Sequence, residues 1–114
     1  MGKRAILLAF ATIAVASVTA LSVAQTAPAA TITVGNNFLS PSSKTISAGT
    51  TLRFKWVGGI THKIVKAKGP GGDIRSPETS ARGVNLSKVL RKRGTYRFRC
   101  VIHPTEMKTK VVVR

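Results

Sequence analysis

Thr95-Tyr96-Arg97-Phe98-Arg99-Cys100 alternates without a break. Tyr96, Phe98 and Cys100 fall on one side of an extended chain and Arg97 and Arg99 on the other, the two-residue period of a strand with one face buried and one in water. Thr51-Leu52-Arg53-Phe54-Lys55-Trp56 repeats the pattern, with Leu52, Phe54 and Trp56 inward and Arg53 and Lys55 outward. Two such strands each carry an apolar face that has to be covered by another layer.

Outward from these two stretches the chain reads as more short strands separated by turns. Upstream, Thr31 to Val34 is β-branched throughout, Phe38 to Pro41 is an extended piece that enters a turn at Ser42-Ser43, and Lys44 to Ile46 leads into the turn Ala48-Gly49-Thr50. Gly58-Gly59 breaks the chain after Trp56, and His62 to Ala67 forms the next strand with His62 and Ile64 on one face. Lys68 to Gly83, rich in Gly, Pro and Ser, reads as loop or irregular surface structure. Val84 to Leu90 alternates again, Arg91-Lys92-Arg93-Gly94 is a basic turn, and Met107 to Arg114 is a final strand. Six to eight short strands with no helical period and no internal repeat predict an all-β antiparallel sandwich or barrel.

The first thirty residues follow another logic. A basic start, Met1 to Arg4, precedes an apolar run from Ala5 to Ala24 that ends in the small residues Ser22-Val23-Ala24. This is the layout of a secretory signal, with cleavage expected after Ala24 and later options at Ala29 and Ala30. An uncleaved anchor is the alternative, since the run just reaches the ~20 residues a membrane helix needs. A lipid anchor at the cut site is excluded, because the only cysteine is Cys100. The expected organisation is a signal peptide over 1–24, an Ala/Pro-rich tether over 25–30 and one domain over 31–114. The destination is the periplasm, the cell surface or the outside of the cell.

Nineteen Lys and Arg stand against three acidic residues, a net charge of +16. Such a balance favours anionic partners. Export argues against nucleic acid and for an acidic protein, an anionic cell-wall polymer or an anionic lipid. Most of the outward Lys and Arg also serve simply as the solvated face of the strands. A single cysteine forms no internal disulfide, so in an exported chain it needs another explanation.

That explanation lies in Cys100-Val101-Ile102-His103-Pro104-Thr105-Glu106-Met107. Cys100 ends an inward-facing alternation, His103 follows three residues later, and Met107 stands where the last strand begins. One loop, stiffened by Pro104, can present a thiolate, an imidazole and a thioether to a common point. His62 is the only other histidine, and Met107 the only methionine besides Met1. Singly, each has an ordinary reading: a buried small hydrophobe, a hydrogen-bonded histidine, a core filler. Together they make a His2Cys set with an axial Met, the electron-transfer arrangement for copper.

On these residues the sequence resembles the cupredoxins, especially the small plastocyanin- and amicyanin-like blue copper proteins. The resemblance runs from about Thr31 to Arg114. It is carried by Phe38-Leu39-Ser40-Pro41, Ala48-Gly49-Thr50, Leu52 to Trp56, His62, Gly94 to Cys100 and the Cys-His-Met loop. It implies a Greek-key antiparallel β-sandwich with one type 1 copper ion at one end. His62 and His103 would bind through ring nitrogen, Cys100 as the thiolate and Met107 as the axial ligand. It also implies a monomeric one-electron carrier that exchanges electrons at an apolar patch around His103, with Ile102, Pro104 and Ile60 nearby and Lys and Arg around it to steer an acidic redox partner. Plastocyanin-like members carry Asn after the first histidine, where it braces the ligand loop; here the residue is Lys63. The three residues between His103 and Met107 lie between the amicyanin and plastocyanin spacings.

Other functions fit less of the sequence. Copper enzymes that reduce oxygen or nitrite need histidines for a second centre, and this chain has two in all. A copper storage or delivery protein would share the ligands but lacks Met- or His-rich tracts. A cationic module for cell-surface polymer would leave the four-residue set unexplained.

Overall fold

The computed structural model describes residues 27–114, so the predicted signal and the start of the tether lie outside the described residues. Eight strands form two four-stranded sheets: β1 (Ala29–Gly35), β2 (Phe38–Ser40), β3 (Ser43–Ile46), β4 (Thr50–Trp56), β5 (Ile64–Lys68), β6 (Gly83–Leu90), β7 (Gly94–Cys100) and β8 (Lys108–Val113). One sheet has the order β2-β1-β4-β6 and the other β3-β8-β7-β5. From β2 to β7 every connection switches sheets, as in a Greek-key sandwich, and no helix appears among the described residues.

The two opening stretches do what their alternation predicts. β4 buries Leu52, Phe54 and Trp56, and β7 buries Tyr96, Phe98 and Cys100; the arginines and lysine between them are exposed. The two faces meet at Phe54 and Phe98, whose rings pack edge to face with centroids 5.0 Å apart. Ile32, Val34, Ile64, Val111 and Val113 complete the core. Removing a large side chain from such an interior costs about 3–5 kcal/mol, transfer and cavity together. At the end away from Cys100, the Tyr96 hydroxyl donates to the Lys92 carbonyl at 2.6 Å, so this buried ring keeps its polar tip satisfied and pins the turn into β7.

The sandwich is not purely antiparallel. β1 runs parallel to β4 and β3 parallel to β8, while the other four pairings are antiparallel. Strand polarity is invisible to an alternation pattern, which fixes only the face of each side chain. β1 also starts at Ala29, earlier than the composition of 25–30 suggests, because Ala29 and Ala30 pair with Thr51 and Leu52 and the Ala30 methyl reaches the core. The Val84–Leu90 alternation is interrupted by a bulge: Phe54 faces Leu86 but Lys55 faces Val84, which leaves Asn85 as the extra residue.

The Gly- and Pro-rich stretch is not only surface. Ile74 and Ser76 are buried, and the segment runs along the free edge of β5 through bridges Val65–Arg75 and His62–Thr79. Backbone N–H groups of Lys66 and Ser76 donate to Ile74 and Ile64 carbonyls at 2.9 and 2.8 Å, so an edge that would otherwise be open is covered. The Ser76 hydroxyl also accepts the Ile64 N–H at 2.9 Å and donates to the Pro77 carbonyl at 2.8 Å. Ser76→Ala orphans the buried Ile64 N–H, and a loss of about 1–3 kcal/mol is expected in denaturant unfolding.

Candidate metal centre

β1 and β4 end, and β2, β5, β6 and β8 begin, at the end of the sandwich where β7 delivers Cys100. The β4–β5 connection brings His62 there, and the β7–β8 connection brings His103. The candidate donors therefore gather at one pole, where the inward alternation of β7 terminates in the cysteine.

Two backbone hydrogen bonds to Thr79 hold His62, its N–H donating to the Thr79 carbonyl at 3.0 Å and its carbonyl accepting the Thr79 N–H at 3.1 Å. The same Thr79 carbonyl accepts the Trp56 indole N–H at 2.9 Å, so the core tryptophan anchors the segment that anchors the histidine. Cys100 is tied on both sides. Its N–H donates to the Met107 carbonyl at 3.0 Å, and the next N–H, of Val101, donates to the Lys63 carbonyl at 2.9 Å. Met107 in turn donates its N–H to the His103 carbonyl at 3.1 Å, closing the loop. Lys63 thus joins the two ligand-bearing segments through its backbone, and that link does not depend on its side chain.

The His62 and Cys100 side chains are fully buried and His103 is half-buried. The Nδ1 atoms of His62 and His103 lie 3.8 and 3.9 Å from the Cys100 sulfur. The three donor atoms all fall within 4.8 Å of one another, and the two imidazoles meet edge to face with centroids 5.4 Å apart. Metal–nitrogen and metal–sulfur bonds of about 2.0 and 2.3 Å, spread in a plane around one ion, separate N from S by about 3.8 Å. The cluster has that spacing. His62 Nδ1 is the nitrogen that faces the Cys100 sulfur, while its buried Nε2 has no hydrogen-bond partner among the described residues. Met107 is fully buried beside the cluster, with its backbone bonded to both Cys100 and His103.

Burial, and to a lesser degree the neighbouring His103, lowers the His62 pKa from its ordinary 6.5. Above that value both folded and unfolded chains hold His62 neutral. As pH falls through it, the unfolded chain takes up a proton that the buried ring resists, so unfolding is favoured. Metal-free protein is expected to melt lower at about pH 5.5 than at about pH 7.5, and His62→Leu is expected to reduce that difference.

No protein-family model and no curated protein matches the sequence. Solved structures do. A reduced amicyanin variant carrying a Trp-to-Tyr substitution superposes with a TM-score of 0.66 at 22% identity, over 83% of this chain and 89% of that one. An amicyanin with a Met-to-Gln substitution, in its Cu(I) form, gives 0.66 at 20% identity over 75% and 82%. An oxidised Met-to-Leu variant gives 0.66 at 22% over 83% and 89%. The chain has the cupredoxin fold. Within that cupredoxin sandwich, His62, Cys100 and His103 form a cluster whose donors and spacing suit a copper ion. What alternation alone does not reveal are the residues that position it: Thr79, Ser76 and the Lys63 carbonyl act through backbone or short polar contacts that leave no periodic trace.

Proposed function

We propose that the protein is an exported type 1 copper protein that carries single electrons between redox partners. The observation that carries this reading is the convergence of two imidazoles and one thiolate, at metal-like spacing, under the loops of a cupredoxin sandwich. His62, Cys100 and His103 would hold the ion, with Met107 as the weak axial ligand; its burial and its two backbone bonds into the loop support that role. Copper bound there supplies a one-electron Cu(I)/Cu(II) couple, suited to a soft sulfur with imidazole nitrogens.

The chain's own part is to hold the donors still and keep water away. Cross-strand pairing of Ile64 with Cys100, the Lys63–Val101 bond and the Thr79 clamp join the ligand segments into one frame. A frame of that kind limits movement when charge changes. His103 alone among the three reaches partly to the surface, which makes its ring the natural exit. Around it the end of the sandwich is apolar. Ile60 and Ile102 are 44% and 42% exposed, and Phe38, Val57 and Val101, at strand ends and in loops at the same end, are exposed as well. An apolar patch without built substrate contacts suits brief docking of another protein better than catalysis. Export is supported by the basic, apolar and small-residue succession of 1–24. Cleavage after Ala24 would leave β1 whole, whereas cleavage after Ala30 would remove its first two residues.

Voltammetry of copper-loaded protein tests the carrier role. A reversible one-electron wave with fast electron self-exchange is expected. Copper that binds but exchanges electrons no faster than a surface-bound ion would point instead to storage or delivery.

A further inference from the structure

The end of the sandwich away from the metal centre has a charge pattern of its own. β1 and β4 start there beside the close of β6, and β7 starts beside the close of β8, through the pairs Ala29–Thr51, Thr50–Leu90 and Gly94–Val113. Backbone hydrogen bonds stitch this end together: the Thr51 N–H donates to the Pro28 carbonyl at 2.9 Å, Gly49 to Leu90 at 2.8 Å and Ala48 to Arg114 at 2.9 Å. The β6–β7 turn here is Arg91-Lys92-Arg93, three consecutive exposed cations. The Tyr96 hydroxyl holds this turn by the Lys92 carbonyl, so its shape rests on backbone and the three side chains are left to solvent. Of the three acidic residues, Glu78 and Glu106 adjoin Thr79 and Met107 at the metal end, and Asp73 pairs with Arg75. The chain also enters at this end. The apolar run Ala5 to Ala24 is separated from β1 by residues 25–28, four residues that span at most about 14 Å.

We propose that this basic end docks on an anionic lipid bilayer and so turns the His103 end away from the membrane. The binding itself does not depend on the copper reading; only its use, in presenting the metal end to a partner in solution, rests on that reading. Two observations favour a bilayer over other anions. The cations sit where an apolar run of bilayer-spanning length enters the domain, so a chain that crosses or stays in the membrane brings this turn against the headgroups. The other strongly cationic surface fits a flat sheet of headgroups less well. There Arg97 and Arg99 stand opposite Lys110 and Lys108 across β7 and β8, but they line a groove bordered by Glu106. Each Lys or Arg close to an anionic surface strengthens binding about fivefold, so three in one turn make a contact that orients the molecule more than it immobilises it.

The test uses the exported protein with the N-terminus that export leaves it, metal-free and Cu(I)-loaded, and lipid discs of phosphatidylcholine with or without phosphatidylglycerol. Spin-labelled headgroups broaden the NMR signals of amides that lie against the bilayer. In the anionic discs broadening is expected at residues 48–49 and 90–94, with the amides around His103 spared. At about 0.1 M salt, Arg91→Gln/Lys92→Gln/Arg93→Gln is expected to bind at least about 20-fold more weakly, whereas Arg97→Gln/Arg99→Gln/Lys108→Gln, which removes the same charge, costs less than about threefold. In a form that keeps the apolar run, the same variants are compared by loss of broadening at the turn in place of affinity. Equal losses from the two variants, or none from the turn variant, would reduce the effect to net charge and overturn the proposal, as would broadening over the outer face of β5-β7-β8 or around His103. Tighter binding of the turn to soluble inorganic polyphosphate than to the discs, at equal phosphate, would overturn it in favour of a phosphate polymer. Because the metal-free arm needs no copper, failure of the copper reading leaves this result intact.

Discussion

Cys100→Ser is expected to weaken copper binding by more than about 100-fold, since loss of a mere supporting contact to a metal ligand already costs about 10–100-fold. The sulfur is fully buried and faces both imidazoles at nearly equal distance, so no neighbouring group can take its place. Among the proposed ligands it is also the one soft anion, the donor that suits Cu(I) as well as Cu(II). The hydroxyl is close to the thiol in size, and its burial should cost the metal-free fold only about 1–3 kcal/mol. Competition titration against a copper chelator measures the first quantity and thermal unfolding without metal the second. A variant that keeps wild-type affinity would place the copper elsewhere; one that fails to fold would leave Met107→Leu and His103→Ala to test the same site.

Trp56→Ala is expected to cost about 3–5 kcal/mol, a large part of the ~5–15 kcal/mol that holds an ordinary domain together. Two losses combine. The indole fills the core at the pole where β4 ends, and its N–H is a partner of the Thr79 carbonyl that also accepts from His62. Trp56→Phe separates them, because it keeps most of the volume and removes only the hydrogen bond; about 1 kcal/mol is expected there. If the tryptophan also steadies His62 through Thr79, Trp56→Phe should weaken copper binding measurably while the fold survives. Urea unfolding read with copper titration distinguishes the outcomes, and an unchanged affinity would confine Trp56 to packing.

These two sites mark what the sequence discloses and what it hides. Inward alternation at Leu52, Phe54 and Trp56 and at Tyr96, Phe98 and Cys100 assigns the core correctly, because burial has the same period as the strand. It likewise aims Cys100 into the domain, and the structure brings His62 and His103 to it. Polarity is another matter. The parallel pairing of β1 with β4 and of β3 with β8 depends on which sheet each connection enters, and no local pattern records that. The stretch from Lys68 to Gly83 misleads for a related reason. Its Gly and Pro announce turns, yet Ile74, Ser76 and Thr79 between them cover the β5 edge and clamp His62 through backbone groups that every residue type possesses. Lys63 is the same case: its backbone carbonyl carries the link to Val101, a contact that leaves no trace in the residue type. The facing cations of β7 and β8 emerge only from register, since Arg97 and Lys110 are far apart in sequence and opposite in space.

The most direct test of the central claim is the visible absorption spectrum of the full chain loaded with one equivalent of Cu(II). An intense thiolate-to-copper band is expected, bleached on one-electron reduction, restored on reoxidation and absent from Cys100→Ser. A protein that takes up Cu(II) without that band, or fails to take it up at all, would contradict the assignment of His62, Cys100 and His103 as a type 1 copper centre.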